Sequence, residues 1–357
     1  MNLVPCGCAQ EKMMNNILEQ AKERVFIIAE LSANHGQKLE TALDTVRAMK
    51  DSGADAVKLQ TYTPDTMTLN VRNEHFTINH GTLWDGKNLY DLYKEAMTPW
   101  EWHEEIKELA EKLGMHFFSS PFDSTAVKFL SKLNVEAYKI ASFEITDVQL
   151  IFEAAAHGKP MIISTGIASE EEIQDAVDAC RNAGNNQIAL LKCTSAYPAK
   201  IEDANLRALG AIAARFGCMV GLSDHSHGSE LPVMAVPLGA RIIEKHFILD
   251  RTVGGPDAQF SMTPEEFRKM AEAVRRAEIA LGDGGFVLCE SAQKNRKFAR
   301  SLFVASDVKA GDLVTKENVR SVRPSAGLAP KLFKAVLGKK FNKDLKAGTP
   351  LSAEVLD

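Results

Sequence analysis

Eight short apolar runs between residues 25 and 247 constrain this chain more than any other feature. They read VFIIAEL (25–31), AVKLQTY (56–62), HFFSSPF (116–122), AYKIASF (137–143), MIISTG (161–166), IALLKC (188–193), VGLSDH (220–225) and ARIIEKHF (240–247). Short runs of β-branched and apolar residues, bounded by turn formers, are the pattern of strands buried on both faces. Between most of them lie amphipathic stretches with helical spacing, such as LETALDTVRAMKDSG (39–53) and EEEIQDAVDACRNAG (170–184). Strand–helix alternation repeated eight times is the count that closes a parallel (β/α)8 TIM barrel, so the expected fold class is α/β. The last barrel helix is expected at 263–281. Thr263, Pro264, Glu265 and Glu266 suit a helix start, and the glycines of LGDGG (281–285) end it.

Chemistry in such barrels sits at the C-terminal strand ends. This sequence places Glu30, Lys58, Gln60, Ser120, Lys139, Ser142, Ser164, Ser223, His225, Glu244 and His246 there. Residues two apart in a strand face the same way, so Glu244 pairs with His246 and Ser223 with His225. Adjacent strands lie about 4.8 Å apart, which lets His225 and His246 converge on one divalent metal; the alternative is that one of them only hydrogen-bonds substrate. Lys58 and Lys139 point into the barrel mouth, where an uncompensated ammonium is costly. Flanked by serines, they suit an oxyanion-rich ligand carrying phosphate and carboxylate, with a Schiff-base lysine as the alternative. Glu30, Glu144 and Asp257 are the carboxylates available for proton transfer. An ion pair to a lysine is the competing role, strongest for Glu144. His35, in SANHG, lines the mouth or caps its own loop. One βα segment, Thr63 to Met97, is much longer than the rest, contains Trp84, and is expected to shape a substrate pocket.

With 357 residues, 45% hydrophobic, the chain has material for two domains. The expected division is an N-terminal arm at 1–23, the barrel at 24–285, and a small β-rich unit at 286–357. No apolar run approaches the roughly 20 residues of a membrane span, and the arm lacks a secretory h-region. Six cysteines without a disulfide framework suit a reducing, cytoplasmic location. Cys6 and Cys8 resemble half a metal site but have no matching second pair, so the arm is read as loose. The net charge of −5 hides an asymmetry: residues 290–357 carry 14 Lys and Arg against 7 Asp and Glu, leaving 28 against 40 on the rest. The basic residues are scattered without aromatic interleaving, which excludes a nucleic-acid reader and favours docking on an acidic body or guiding an anionic substrate. Within the basic unit, DVKAGDLVTKENV (307–319) is echoed by DLKAGTPLSAEVL (344–356), each Ala-Gly expected to make a turn. Between the copies, SVRPSAGLAP presents Arg323. A unit this small is not expected to be a separate catalyst.

The motifs IAELSANHG, AVKLQTYTPDT, FFSSPFD, YKIASFE, IISTGIA, LKCTSAYPA, GLSDHS, IIEKHF and GGPDAQFSM resemble the sialic acid synthase family. So do FARSLFVASDVKAG and VRPSAGLAP, which extend the resemblance over 24–357 and into a C-terminal antifreeze-like (SAF) domain. The resemblance implies condensation of phosphoenolpyruvate with an open-chain, N-acylated amino-sugar aldehyde, with C–O cleavage and phosphate release, to give a nonulosonic acid. FIIAELSANHG, VKLQTYTPDTMTLN, GTLWDGKNLYDLYKEAMTPWEWH and KNRKFARSLFVASDVKAG resemble the branch whose aldehyde is 2,4-diacetamido-2,4,6-trideoxy-L-altrose. The N-acetylneuraminate and legionaminate branches are the alternatives. The resemblance further implies a divalent metal, Mn²⁺ or Mg²⁺, on His225 and His246, with phosphoenolpyruvate held by Lys58, Ser120, Lys139, Ser142, Ser164 and Ser223. Position 120 is often Thr elsewhere in the family. Sugar contacts map onto Glu144, Tyr197 and Asp257, and onto the partner subunit's Arg323 in a domain-swapped homodimer. Glu30 is expected to steer or deprotonate a reacting group, and Glu244 to orient a water or the intermediate. The reading from another class, a sugar- or ice-binding protein built on the antifreeze-like unit, has no use for paired histidines and two inward lysines.

Overall fold

All eight apolar runs form parallel strands, hydrogen-bonded in chain order and closed by the last against the first. The computed structural model describes residues 16–79 and 81–357. The strands are β1 (Phe26–Glu30), β2 (Ala56–Thr61), β3 (His116–Pro121), β4 (Tyr138–Ile140), β5 (Met161–Ser164), β6 (Ile188–Cys193), β7 (Met219–Asp224) and β8 (Ile242–His246). Their register levels the strand ends: Glu30 stands opposite Lys58 on one side and His246 on the other, and Ser223 stands opposite Glu244. Two runs are shorter as strands than as sequence. β4 stops at Ile140 because Ser142–Glu144 turns into a 3-10 segment, and His225 lies one residue past β7.

The surrounding helices bury one face each. Leu39–Asp51 buries Ala42, Thr45, Val46 and Met49, and Glu170–Asn182 buries Ile173, Ala176, Val177 and Cys180 among others. Both sets recur at i, i+3, i+4 and i+7, one stripe of an amphipathic helix. Fully burying each large aliphatic side chain contributes about 1.5–3 kcal/mol. Ser169 with Glu172, and Thr263 with Glu266, form capping boxes that start two of these helices where the sequence predicts.

The arm expected to be loose is in part a packed element. Ile17–Glu23 is a helix capped by the Asn16 side chain, with Ile17, Leu18 and Ala21 buried in the barrel's apolar core. The Gln20 side chain meets the ring of His116, the first residue of β3, at 2.7 Å, so the helix covers the N-terminal end of the barrel. Cys6 and Cys8 lie outside the described residues. The long segment after β2 carries its own structure, with helices at Pro64–Met67 and Leu89–Ala96 and a 3-10 turn at Glu74–Phe76. Among the described residues, no helix is long and apolar enough to cross a membrane.

The chain divides between Gly282 and Asp283 into two compact units. In the second, β9 (Ser301–Val304) pairs antiparallel with β10 (Val319–Val322) over a core that includes Leu302, Val304, Val308, Val319, Phe341 and Leu351. The sequence echo is a physical pairing. Val308 bridges Leu345, Asp307 accepts from Lys346 Nζ (2.7 Å) and the Ala347 amide (2.9 Å), and Asp344 accepts from Lys309 Nζ (2.7 Å) and the Ala310 amide (3.0 Å). Gly311 and Gly348 follow at φ +92° and +88°, the left-handed conformation their turns require.

Candidate active site

The C-terminal strand ends surround a cavity of about 370 Å³. At its base lies a buried ionic network. Lys58 Nζ lies 2.8 Å from Glu30 Oε2 and 3.0 Å from Glu244 Oε1; Lys139 Nζ lies 3.8 Å from the same Glu244 oxygen. The network is extended by Gln60, which donates to Glu30 Oε1 (2.8 Å), and Ser223, which donates to Glu244 Oε1 (2.9 Å). All four charged side chains are at most 3% exposed. Burial disfavours each charge, and the partners decide the outcome. For Glu30, burial pushes the carboxyl up, but His246 and Lys58 outweigh it and hold it well below the ordinary range. For Glu244, burial is overcome by Lys139 and Lys58. Lys58 stays raised because Glu244 and Glu30 exceed the burial penalty, whereas burial wins at Lys139 and lowers it.

Two serines are arranged as donors. Ser164 Oγ accepts from Lys139 Nζ (2.7 Å). Ser142 Oγ accepts from the Ile167 amide (3.1 Å) and from Ser195 (2.7 Å). With these acceptances made, each hydroxyl keeps its own hydrogen to donate. Gly166 allows this: a Cβ there would stand 2.2 Å from Ser195 Oγ and 2.7 Å from Ser142 Oγ.

The two histidines face each other with ring centroids 5.3 Å apart, and Phe260 packs on both. His225 Nδ1 lies 3.1 Å from the Thr194 carbonyl, a donation that leaves Nε2 bare. His246 Nε2 lies 3.2 Å from Glu30 Oε2, while its Nδ1 is buried without a hydrogen-bond partner, 3.7 Å from Asp257 Oδ2. Burial lowers the pKa of His246, favouring the neutral ring that metal ligation needs. Among the described residues no cluster of three or more His, Cys, Asp or Glu side chains is arranged to hold a metal by itself. The two rings with uncommitted nitrogens fit a divalent ion whose remaining positions go to water and substrate oxygens.

Of the residues expected from sequence, Glu30, Lys58, Lys139, Ser142, Glu144, Ser164, Tyr197, Ser223, His225, Glu244, His246 and Asp257 line the one cavity. Burial raises the Glu144 carboxyl to about 7, against the pull of Lys139. Ser120 lies behind the lining, buried, its Oγ without a partner. Arg323 is exposed in the second unit. His35 does not line the cavity; its Nδ1 accepts from the Gln37 amide at 3.1 Å, which caps its own loop. Sequence reasoning missed Ser195 and Gly166, which meet Ser142 from separate loops. It also missed the buried Lys245–Asp224 pair (2.9 Å) between β8 and β7. Lys245 donates further to the Ser226 carbonyl (2.5 Å), bracketing His225. Trp84 roofs the site from the long segment, donating Nε1 to the Pro256 carbonyl (3.1 Å) and lying 5.6 Å from the Tyr197 ring.

Residues 45–285 match the NeuB family. The chain belongs to the NeuB family. Residues 299–356 of this NeuB-family enzyme match the SAF domain. The enzyme is 52% identical to the pseudaminic acid synthase of Helicobacter pylori over 332 residues, covering 93% of this chain and 97% of that protein. It is 37% identical to the N,N'-diacetyllegionaminic acid synthase of Legionella pneumophila, covering 93% and 94%. The crystal structure of N-acetylneuraminic acid synthetase from Leptospira borgpetersenii serovar Hardjo-bovis, in complex with citrate, aligns with a TM-score of 0.68. Identity there is 34%, over 76% of this chain and 90% of that one. The closed barrel with an appended β-rich unit is thus shared with a family of sialic-acid-type synthases, the family that the sequence motifs resemble.

Proposed function

We propose that this enzyme condenses phosphoenolpyruvate with the open-chain aldehyde of 2,4-diacetamido-2,4,6-trideoxy-L-altrose, releasing phosphate by C–O cleavage and forming pseudaminic acid. The observation that carries the reading is the buried Lys58–Glu30–Glu244–Lys139 network, in one cavity with the facing His225 and His246. The relative at 52% identity supports this sugar over the legionaminate and N-acetylneuraminate alternatives, which share the mechanism.

Lys58 and Lys139 exchange part of their pairing with glutamate for the phosphate and carboxylate of phosphoenolpyruvate, and Ser142 and Ser164 donate their free hydrogens to it. Ser223 fixes Glu244, and Ser120 stays in this set through its unpartnered Oγ. Glu144, Tyr197 and Asp257 contact the sugar, with the partner subunit's Arg323. The enol carbon attacks the aldehyde carbon, whose C=O pair moves onto oxygen as an alkoxide, and leaves a cationic centre at C2. Water oriented by Glu244 adds at C2 and gives one proton to the ionised Glu30, which passes it to the alkoxide. The tetrahedral carbon then expels phosphate with the C–O electron pair, the C2 hydroxyl proton leaving with the phosphate so that C2 becomes the ketone. His225 and His246 would hold Mn²⁺ or Mg²⁺, which supplies positive charge at the aldehyde oxygen when bound.

A domain-swapped homodimer is part of the proposal. Phe286 and Val287 stand open to solvent, and such apolar side chains call for a cover that a second copy of the chain supplies. A cytoplasmic location fits Cys180, Cys193, Cys218 and Cys289, none of which is disulfide-bonded. The test is phosphate release from phosphoenolpyruvate with Mn²⁺, comparing the altrose with N-acetylmannosamine. Release with the altrose alone, abolished by chelator, is expected. Release with N-acetylmannosamine alone would overturn the choice of sugar; silence with both would overturn it too and move the test to the legionaminate precursor, and silence there as well would overturn the reaction.

A further inference from the structure

Part of the cavity lining has no role in the reaction above, and it is apolar. It comes from the segment between β2 and β3, and its main members are Met67, Ile78, Leu89 and Leu92. On the helix Leu89–Ala96, the lining residues are Leu89, Leu92, Tyr93 and Ala96. That is i, i+3, i+4 and i+7, so one whole face of the helix is turned to the cavity. Ile78 and Leu92 are only 8% and 6% exposed, yet neither belongs to the barrel's apolar core.

Neighbouring polar groups are already engaged. The Asn88 side chain donates to the Val71 and Phe76 carbonyls, Thr82 Oγ1 donates to Asp85, and the Trp84 indole donates to Pro256. Tyr93 brings a hydroxyl to this face.

We propose that this wall selects the sugar by receiving the C6 methyl end of the open-chain substrate, so that a 6-deoxy sugar is preferred over its 6-hydroxy counterpart. The inference rests on the reaction proposed above. Because the aldehyde carbon must meet phosphoenolpyruvate at the strand ends, beside Lys58 and the two histidines, the rest of the chain leads outward into the segment that follows β2. A methyl group against Ile78, Leu89 and Leu92 leaves water at no cost in hydrogen bonds. A hydroxyl there would lose its water partners against side chains that offer none, with the Tyr93 hydroxyl as the single side-chain partner on that helix face. Apolar pockets discriminate such changes by roughly 10–200-fold.

The experiment compares kcat/KM, at saturating phosphoenolpyruvate, for 2,4-diacetamido-2,4,6-trideoxy-L-altrose and for its 6-hydroxy analogue, which differs by one oxygen atom. The wild-type enzyme is expected to prefer the 6-deoxy sugar by about 10²-fold, the scale on which an apolar pocket rejects an added hydroxyl. Leu89→Asn and Ile78→Thr should bring that ratio toward one while leaving KM for phosphoenolpyruvate unchanged. Leu89→Met, which keeps the site apolar and about the same size, should retain the wild-type ratio and so separates selection from folding. A ratio near one in the wild type, or the same ratio in every variant, overturns the inference and leaves the reaction standing. No turnover of either sugar by the wild type overturns the inference together with the choice of sugar.

Discussion

Lysine–carboxylate pairs occur in both units at nearly equal distances and in opposite surroundings. In the barrel, Lys58 lies 2.8 and 3.0 Å from Glu30 and Glu244, with side chains no more than 3% exposed. In the C-terminal unit, Lys309 and Lys346 each lie 2.7 Å from Asp344 and Asp307, with side chains 57–85% exposed. Distance alone would rank them together. Water and salt screen the second set, so its contribution is mainly to register the two halves of the repeat. The first set carries a desolvation cost that an apolar replacement would avoid, and it lies at the base of the cavity, where the proposed reaction gives that cost a use. Charges kept dry and paired can change partner when an anionic substrate enters.

That contrast can be broken in three places. Lys58→Met removes the ammonium shared by two buried carboxylates; stability is expected to fall by about 3–5 kcal/mol, with loss of phosphate release, measured by denaturant unfolding and turnover. Adding Glu244→Gln should recover part of the stability and none of the activity. A Lys58→Met enzyme as stable as wild type would mean that the network is not what holds those carboxylates charged.

Glu144 gives a smaller, pH-dependent effect. Its carboxyl ionises at the ordinary value of 4.5 when unfolded and at about 7 when folded, because of burial. The folded state therefore binds the proton more tightly. Stability present below pH 4.5 is lost as pH rises through 7, by at most about 1.4 kcal/mol per pH unit. Thermal midpoints across this window should decline in the wild type and flatten in Glu144→Gln; parallel curves would contradict the assignment. The smallest effect is expected from Asp344→Asn. It removes one exposed clasp, and the small loss in midpoint should vanish at high salt. A large, salt-independent loss would show that the repeat depends on its charges after all.

The sequence reveals the strand ends because they repeat a periodic signal. A run such as ARIIEKHF alternates inward and outward positions, so the spacing by itself assigns Glu244 and His246 to one face. The helix Ile17–Glu23 is not legible in this way: seven residues give only Ile17, Leu18 and Ala21 as a stripe, too short a pattern to separate from a loose arm. Ser195 and Gly166 were missed for a different reason. Their contact with Ser142 joins the segments after β4, β5 and β6, and nothing in local periodicity records a meeting of loops. The apolar face of Leu89–Ala96 was hidden likewise, since helical spacing shows that a face exists but not that it turns to a cavity instead of a core.

In the proposed reaction the buried network holds phosphoenolpyruvate while its C–O bond to phosphate breaks. This is tested most directly with phosphoenolpyruvate carrying ¹⁸O at the bridging position, turned over with the altrose. The label is expected to leave in the phosphate. Label retained in the sugar acid would mean that the P–O bond breaks instead, and would contradict that reaction.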